Sequence, residues 1–283
     1  MLMNIDLEKS YDVCRQLTLS HYENFPVASW LIPRIKRKHI FAVYAFARIA
    51  DDIADEGDES KDQKKEHLKI YRDDFLNNSN FNNYPHFPAL WATINKFDIP
   101  TVLFTDLIEA FIQDNEKSIY DNFDELLNYC SKSANPVGRI ILHLFNYKNE
   151  KMFQLSDNIC TALQLTNFWQ DLSLDLKKGR CYLPQDDLRK FKVSIDELKS
   201  QKFNCEVREL IKFQIDRTLK LFRDGEELLN HLQGLLKLEI KLTILGGRRI
   251  INKIERMNYN TLADRPKISL FDKLSLLFRL ILS

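Results

Sequence analysis

Glycine is scarce in this chain. There are seven glycines in 283 residues, less than half the usual ~7%. Tight β-hairpins and the close phosphate approach of dinucleotide-binding turns both depend on glycine. The one adjacent pair, Gly246-Gly247, runs into Arg248-Arg249 and opens no GxGxxG pattern. β-sandwiches and glycine-loop nucleotide folds are excluded, which leaves helices.

Apolar periodicity agrees. Arg34 to Asp55 carries Ile40, Phe41, Val43, Tyr44, Phe46 and Ala47 with no internal Gly or Pro, a helical pattern. Val102, Leu103, Leu107, Ala110 and Phe111 form a second stripe after Pro100. Leu126 to Phe145 is broken only by Asn135-Pro136-Val137-Gly138, a kink or break. Glu150 to Leu176 reads as one helix stopped by Gly179. Lys202 to Gln233 and Leu236 to Met257 read as two long helices meeting near Gly234, and Glu56 to Lys65 as a charge-rich surface connection. The best strand signal, Arg180-Cys181-Tyr182-Leu183, is short. The sequence predicts an all-α bundle. With 45% hydrophobic residues it can bury a sizeable core. No Pro/Gly/Ser linker divides it, so one domain over 1–283 is expected.

Charge narrows the partners. Lys+Arg 41 against Asp+Glu 40 gives a net +1, no field of one sign to attract nucleic acid. Five cysteines, Cys14, Cys130, Cys160, Cys181 and Cys205, include no CxxC and read as reduced thiols of a cytoplasmic protein. Asp6 and Glu8 stand where a secretory leader would carry only basic charge, and no apolar run approaches the length of a span.

Two helices carry acid pairs in apolar company. Asp51 and Asp55 are i and i+4, so they share a face at roughly 5–6 Å between Cβ atoms. Asp52 points about 100° away from Asp51. Tyr44 and Arg48 extend that stripe, and Gln164, Asn167, Asp171 and Asp175 form a second one. Like charges at this spacing destabilise a helix, and apolar neighbours add a desolvation cost. A divalent cation removes both. Mg²⁺ favours one or two carboxylates with water and substrate phosphate oxygens. Two DxxxD faces looking into a helical cavity would hold Mg²⁺ and so a diphosphate. An acidic helix end facing water accounts for the first pair alone, since Glu56, Asp58 and Glu59 follow it. Lys178 and Arg180 come directly after the second pair, either as macrodipole complements or as a grip on phosphate. His21 and Cys130 have no partner triad in view and read as core or hydrogen-bonded residues.

The order Tyr44…Arg48…Asp51-Asp52-Ile53-Ala54-Asp55, Tyr129-Cys130…Val137-Gly138, and Gln164-Leu165-Thr166-Asn167…Asp171…Asp175…Arg180-Cys181-Tyr182-Leu183-Pro184 resembles the squalene/phytoene synthase family over roughly residues 10 to 260. The family's HxxxF element matches His21-Tyr22-Glu23-Asn24-Phe25. The resemblance implies an isoprenoid-synthase-type helical bundle with a central substrate cavity. It also implies Mg²⁺ on Asp51, Asp52, Asp55, Asp171 and Asp175, and prenyl diphosphates joined or rearranged head to head. Substrate and diphosphate would then meet His21, Phe25, Arg48, Lys178 and Arg180. Tyr44, Tyr129, Gln164 and Asn167 would carry catalysis around the carbocation, with plain core packing the other account of Phe25 and Tyr129.

One position departs from the family pattern. Most members have Arg directly before the second motif, within NxxRD, whereas this chain reads Asn167-Phe168-Trp169-Gln170-Asp171. This stretch, His21 to Ser29 and Ser133 to Arg139 resemble the hydroxysqualene synthase branch of bacterial hopanoid biosynthesis. That branch implies ionisation of presqualene diphosphate and capture of water without a reductant. Head-to-head condensation to squalene or phytoene is the alternative, and a non-catalytic assembly role the third. Other enzymes of the same pathway are expected partners.

Beyond Pro266, the segment 268–283 places Leu270, Phe271, Leu274, Leu277, Phe278, Ile281 and Leu282 at helical spacing. Such a helix either docks on the bundle or lies peripherally on the inner membrane.

Overall fold

The computed structural model describes residues 6–20 and 32–282. Helices dominate, and among the described residues no strand forms. The Arg180–Leu183 signal yields only an isolated parallel bridge between Ile119 and Cys181, with the Cys181 amide donating to the Ser118 carbonyl at 2.8 Å. The all-α expectation holds. The chain divides into two compact units, the described parts of Met1–Glu116 with Pro136–Asn149, and Lys117–Asn135 with Glu150–Ser283.

The first unit contains α1 (Leu7–Ser20), α2 (Arg34–Asp55), α3 (Lys61–Leu76), α4 (Phe87–Phe97) and α5 (Val102–Glu116). A sixth helix of this unit is named below in chain order. Its core is aromatic. Phe46 of α2 lies 5.1 Å from Tyr71 and 5.3 Å from Phe104 between ring centroids, and all three are fully buried. The Tyr71 hydroxyl is hydrogen-bonded to His86 Nε2 at 2.8 Å, so the polar end of a buried ring is satisfied. Burial pushes the His86 imidazole down to about 3. This core anchors α2, a 22-residue helix that carries the first acid motif at its end. The surface connection expected over Glu56 to Lys65 is shorter than that. Ser60 and Gln63 form a capping box that starts α3 at Lys61, because a hydroxyl and an amide satisfy the free first-turn N–H groups.

The second unit contains α6 (Phe123–Ser133), α8 (Glu150–Gln170), α9 (Leu172–Lys177), α10 (Gln185–Lys190), α11 (Ile195–Lys199), α12 (Cys205–Gly225), α13 (Gly234–Arg256) and α14 (Leu270–Leu282). The helix α7 (Asn135–Leu144) lies almost wholly in the first unit and begins after Ala134, where the Asn135-Pro136 break was expected. The 3-10 turn Glu226–Asn230 intervenes before α13, and Gly234 sits at φ +58.

α8 and α12 pack closely. Trp169 Nε1 donates to Thr218 Oγ1 at 2.9 Å, and a Cβ at Gly225 would stand 2.7 Å from Ile159 Cγ1. At Gly247 of α13 a Cβ would meet Phe222 Cζ at 2.6 Å and Leu163 Cδ2 at 2.9 Å. Two of the few glycines are thus contact surfaces between helices.

Candidate active site

The first acid motif ends α2. Arg48, Asp51 and Asp52 are half-buried and Asp55 is exposed. Arg48 Nη1 donates to Asp51 Oδ2 at 3.1 Å, Nη2 reaches Glu56 Oε1 at 3.0 Å, and the same Nη2 forms an ion pair with Asp52. The helix therefore gives Arg48 to the carboxylates i+3, i+4 and i+8 along it. Burial pushes the Asp51 carboxyl above the ordinary carboxylate value, and the Asp55 charge adds to this against the pull of Arg48. Tyr44, half-buried one turn before Arg48, has its phenol pushed up, again chiefly by burial.

The second motif spans a break. α8 ends at Gln170 and α9 begins at Leu172, with Asp171 between them at φ −98, ψ 9. A single helix through Leu176 was expected. The hydrogen-bond ladder nevertheless continues: the Asp171 amide donates to Asn167 O at 2.8 Å and the Asp175 amide to Asp171 O at 2.9 Å. Asp171 and Asp175 remain one turn apart, both half-buried. Gly179, at φ +78, stops α9 as expected, and the Arg180 amide donates to Asp175 O at 2.8 Å. This 6→1 closure satisfies a free helix-end carbonyl and holds Arg180 directly after the motif.

Gln164 is half-buried and Asn167 exposed on α8; Lys178 is exposed and Arg180 half-buried. Tyr129 of α6 is only 3% exposed and stands in a ring cluster, 5.6 Å from Tyr120, 6.1 Å from Phe168 and 6.0 Å from Tyr182. Phe168 and Tyr182 stack at 3.8 Å. His21 and Phe25 lie outside the described residues. Cys130 is buried, and desolvation pushes its thiol up to about 12, which makes it inert as a nucleophile.

Spacing did not reveal Arg265. Its Nη2 donates to Asp171 Oδ2 at 3.0 Å and its Nε pairs with Oδ1. These contacts to Asp171 push the guanidinium pKa up. Beside it, buried Gln170 donates through Nε2 to the Pro266 carbonyl at 2.6 Å. The sequence marks Pro266 only as the start of the last segment, and a contact 94 residues away leaves no local periodicity.

Among the described residues no group of three or more His, Cys, Asp or Glu side chains gathers as a metal cage. A hard cation that keeps water and substrate oxygens needs only one or two carboxylates. Asp51 with Asp55, and Asp171 with Asp175, each present such a pair. The raised Asp51 carboxyl, pushed by burial and by its neighbour's charge, is the electrostatic mark of a pair that a cation would relieve. The donor set fits Mg²⁺.

Each aspartate pair thus stands on a helical unit with an arginine paired to one of its carboxylates. The profile of the squalene/phytoene synthase family matches residues 19–272, and the chain belongs to that family. It is 33% identical to the hydroxysqualene synthase of Rhodopseudomonas palustris over 235 residues, covering 82% of this chain and 80% of that protein. It is 29% identical to the phytoene synthase of Arthrospira platensis, covering 94% and 90%. Among solved structures, the squalene synthase HpnC from Alicyclobacillus acidocaldarius superposes with a TM-score of 0.85 at 37% identity, covering 91% of this chain and 97% of that one. Enzymes of this family act on prenyl diphosphates.

Proposed function

We propose that the protein converts presqualene diphosphate to hydroxysqualene. The observation that carries this is the pair of intact DxxxD motifs together with an uncharged Gln170 before the second one. The 33% identity to a hydroxysqualene synthase over 82% of the chain supports it.

Asp51, Asp55, Asp171 and Asp175 would hold Mg²⁺, with Asp52 contributing through the Arg48 network. Bound there, Mg²⁺ supplies Lewis-acid stabilisation of the departing diphosphate. The carbon–oxygen bond of the substrate breaks with its electron pair leaving on diphosphate. Arg48, Lys178 and Arg180 stabilise that growing charge. Tyr44, Tyr129, Gln164 and Asn167 offer π-faces and oxygen dipoles to the cation, and His21 and Phe25 complete the substrate contacts. A water oxygen then forms the new carbon–oxygen bond, and its proton passes to solvent or diphosphate. No reductant enters the balance.

We infer a cytoplasmic protein with peripheral membrane contact, in company with other enzymes of its pathway. Among the described residues no helix is long and apolar enough to cross a membrane. α14 leaves Leu270 and Phe271 74% and 76% exposed, an apolar face suited to a lipid interface.

The deciding experiment supplies purified protein and Mg²⁺ with presqualene diphosphate in one arm and farnesyl or geranylgeranyl diphosphate in another. Hydroxysqualene from the first arm alone supports the proposal. Squalene or phytoene from the second would establish condensation, the alternative that the phytoene synthase relatives favour.

A further inference from the structure

Three successive residues after α13 are each tied down from a different side chain. Arg265 grips Asp171 through both carboxylate oxygens. The Pro266 carbonyl accepts from Gln170 Nε2 at 2.6 Å. The Lys267 carbonyl accepts from Lys253 Nζ at 2.7 Å. Gln170 is only 9% exposed, so its amide is a buried donor whose acceptor among the described residues is the Pro266 carbonyl. Losing that acceptor would leave the amide unsatisfied, which buried donors avoid. Pro266 has a fixed φ, so a bond to its carbonyl also sets the direction in which Arg265 leaves the chain. Adjacent residues 170 and 171 thus hold adjacent residues 266 and 265, a two-point register that a lone ion pair would not give.

We propose that Gln170 is a positioning residue, which seats residues 264–267 as a strap and thereby places the Arg265 guanidinium on the second aspartate motif. Asp171 and Asp175 both act on that guanidinium, so it balances part of the motif's charge. Its two contacts occupy both Asp171 oxygens, which puts it in competition with a bare cation. Once a metal-bound diphosphate brings excess negative charge, the same guanidinium becomes a favourable neighbour. Gln170 bonds to the Pro266 carbonyl and so acts through Arg265.

Because this rests on Asp171 serving a Mg²⁺-dependent diphosphate, the test measures both. Full-length protein is titrated calorimetrically with Mg²⁺ alone and with inorganic diphosphate in the presence of Mg²⁺. The forms compared are wild type, Gln170→Ala, Arg265→Ala and the double variant. Amide exchange over residues 260–269 is followed in each. Arg265→Ala should weaken diphosphate binding about tenfold, the scale of a lost charge-assisted contact, without weakening Mg²⁺ alone. Gln170→Ala should follow the same split and speed exchange of the strap. The double variant should be no weaker than Arg265→Ala, since Gln170 acts only through it. General loosening of the fold would instead weaken both titrations. Gln170→Met keeps the volume, deletes the donor and carries the same expectation if the alanine variant does not fold. Wild-type affinity in the Gln170 variants, or effects that simply add, would overturn the proposal alone. A wild-type protein that takes up no diphosphate with Mg²⁺ would overturn the functional reading and the proposal together.

Discussion

The Asp175 amide donates to the Asp171 carbonyl at 2.9 Å, although α8 has ended and α9 has only begun. One backbone bond keeps the second aspartate pair at helical spacing through a break. At the first motif no break occurs, and Asp51 and Asp55 lie on the uninterrupted last turn of α2. The two motifs therefore have the same spacing but different counter-ions: Arg48 from the same helix at one, Arg265 from a distant segment at the other.

That difference separates two substitutions. Asp51→Asn and Asp171→Asn should each abolish turnover while leaving the far-ultraviolet helical signal nearly unchanged. Asp51→Asn relieves a carboxylate that burial and Asp55 disfavour, so stability should hold or rise by a few tenths of a kcal/mol, screened by solvent. Asp171→Asn removes the partner of a bidentate guanidinium and should cost about 1–2 kcal/mol. Chemical denaturation of the two variants beside wild type checks the sign. Equal effects would contradict it.

Gly247→Ala tests helix packing. The added methyl meets Phe222 and Leu163 inside contact distance and should cost about 1–3 kcal/mol as overpacking. Gly246→Ala, with open space at its Cβ, is the matched control and should be neutral or slightly stabilising. Melting temperatures that move together would show that α13 can shift to accommodate the methyl.

Much of the fold was legible because its signals are local. α2, the break after Ala134, the Gly179 stop and the turn at Gly234 all follow from apolar period, proline and glycine within a few residues. The second motif was read as one continuous helix because its apolar period does run through Asp171; the break appears only in the backbone angles. Arg265 and the role of Gln170 were not legible at all. Their contacts join positions 96 and 94 residues apart, and a single sequence carries no mark of such pairing. Nor does the helical spacing of the last segment mark Asp272, which is 2% exposed and binds Arg249, Lys253 and Ser269.

Glu239 gives a pH signature. This carboxyl on α13 is pushed up to about 7 by burial. Its folded pKa is above the unfolded value, so between roughly 4.5 and 7 the folded state binds more protons. Stability should then fall as pH rises through that window. Charging it costs about 1–3 kcal/mol. Glu239→Gln should match wild type near pH 4 and melt a few degrees higher at pH 8. Parallel stability curves across the window would remove Glu239 as the cause.

α14 docks through a buried charge. Asp272 accepts from Arg249 Nη2 at 2.6 Å and Lys253 Nζ at 2.5 Å, and Lys253 with the Ser269 hydrogen bonds holds its carboxyl well below the usual range. Asp272→Ala removes the carboxylate from two half-buried cations and should cost about 1–3 kcal/mol. Truncation after Pro266 should also lower thermal stability, and should reduce co-sedimentation with anionic vesicles through loss of Leu270, Phe271 and Leu274. Unchanged vesicle binding would limit α14 to a structural role.

The most direct measurement of the central claim uses isotopically labelled water. Protein, Mg²⁺ and presqualene diphosphate are incubated in ¹⁸O-water, and the lipid product is analysed by mass spectrometry. Carbon–oxygen cleavage followed by water capture predicts hydroxysqualene carrying one ¹⁸O atom. An alcohol without label would place cleavage at the phosphorus–oxygen bond, and an oxygen-free hydrocarbon would mean that water is not captured; either result would contradict the account.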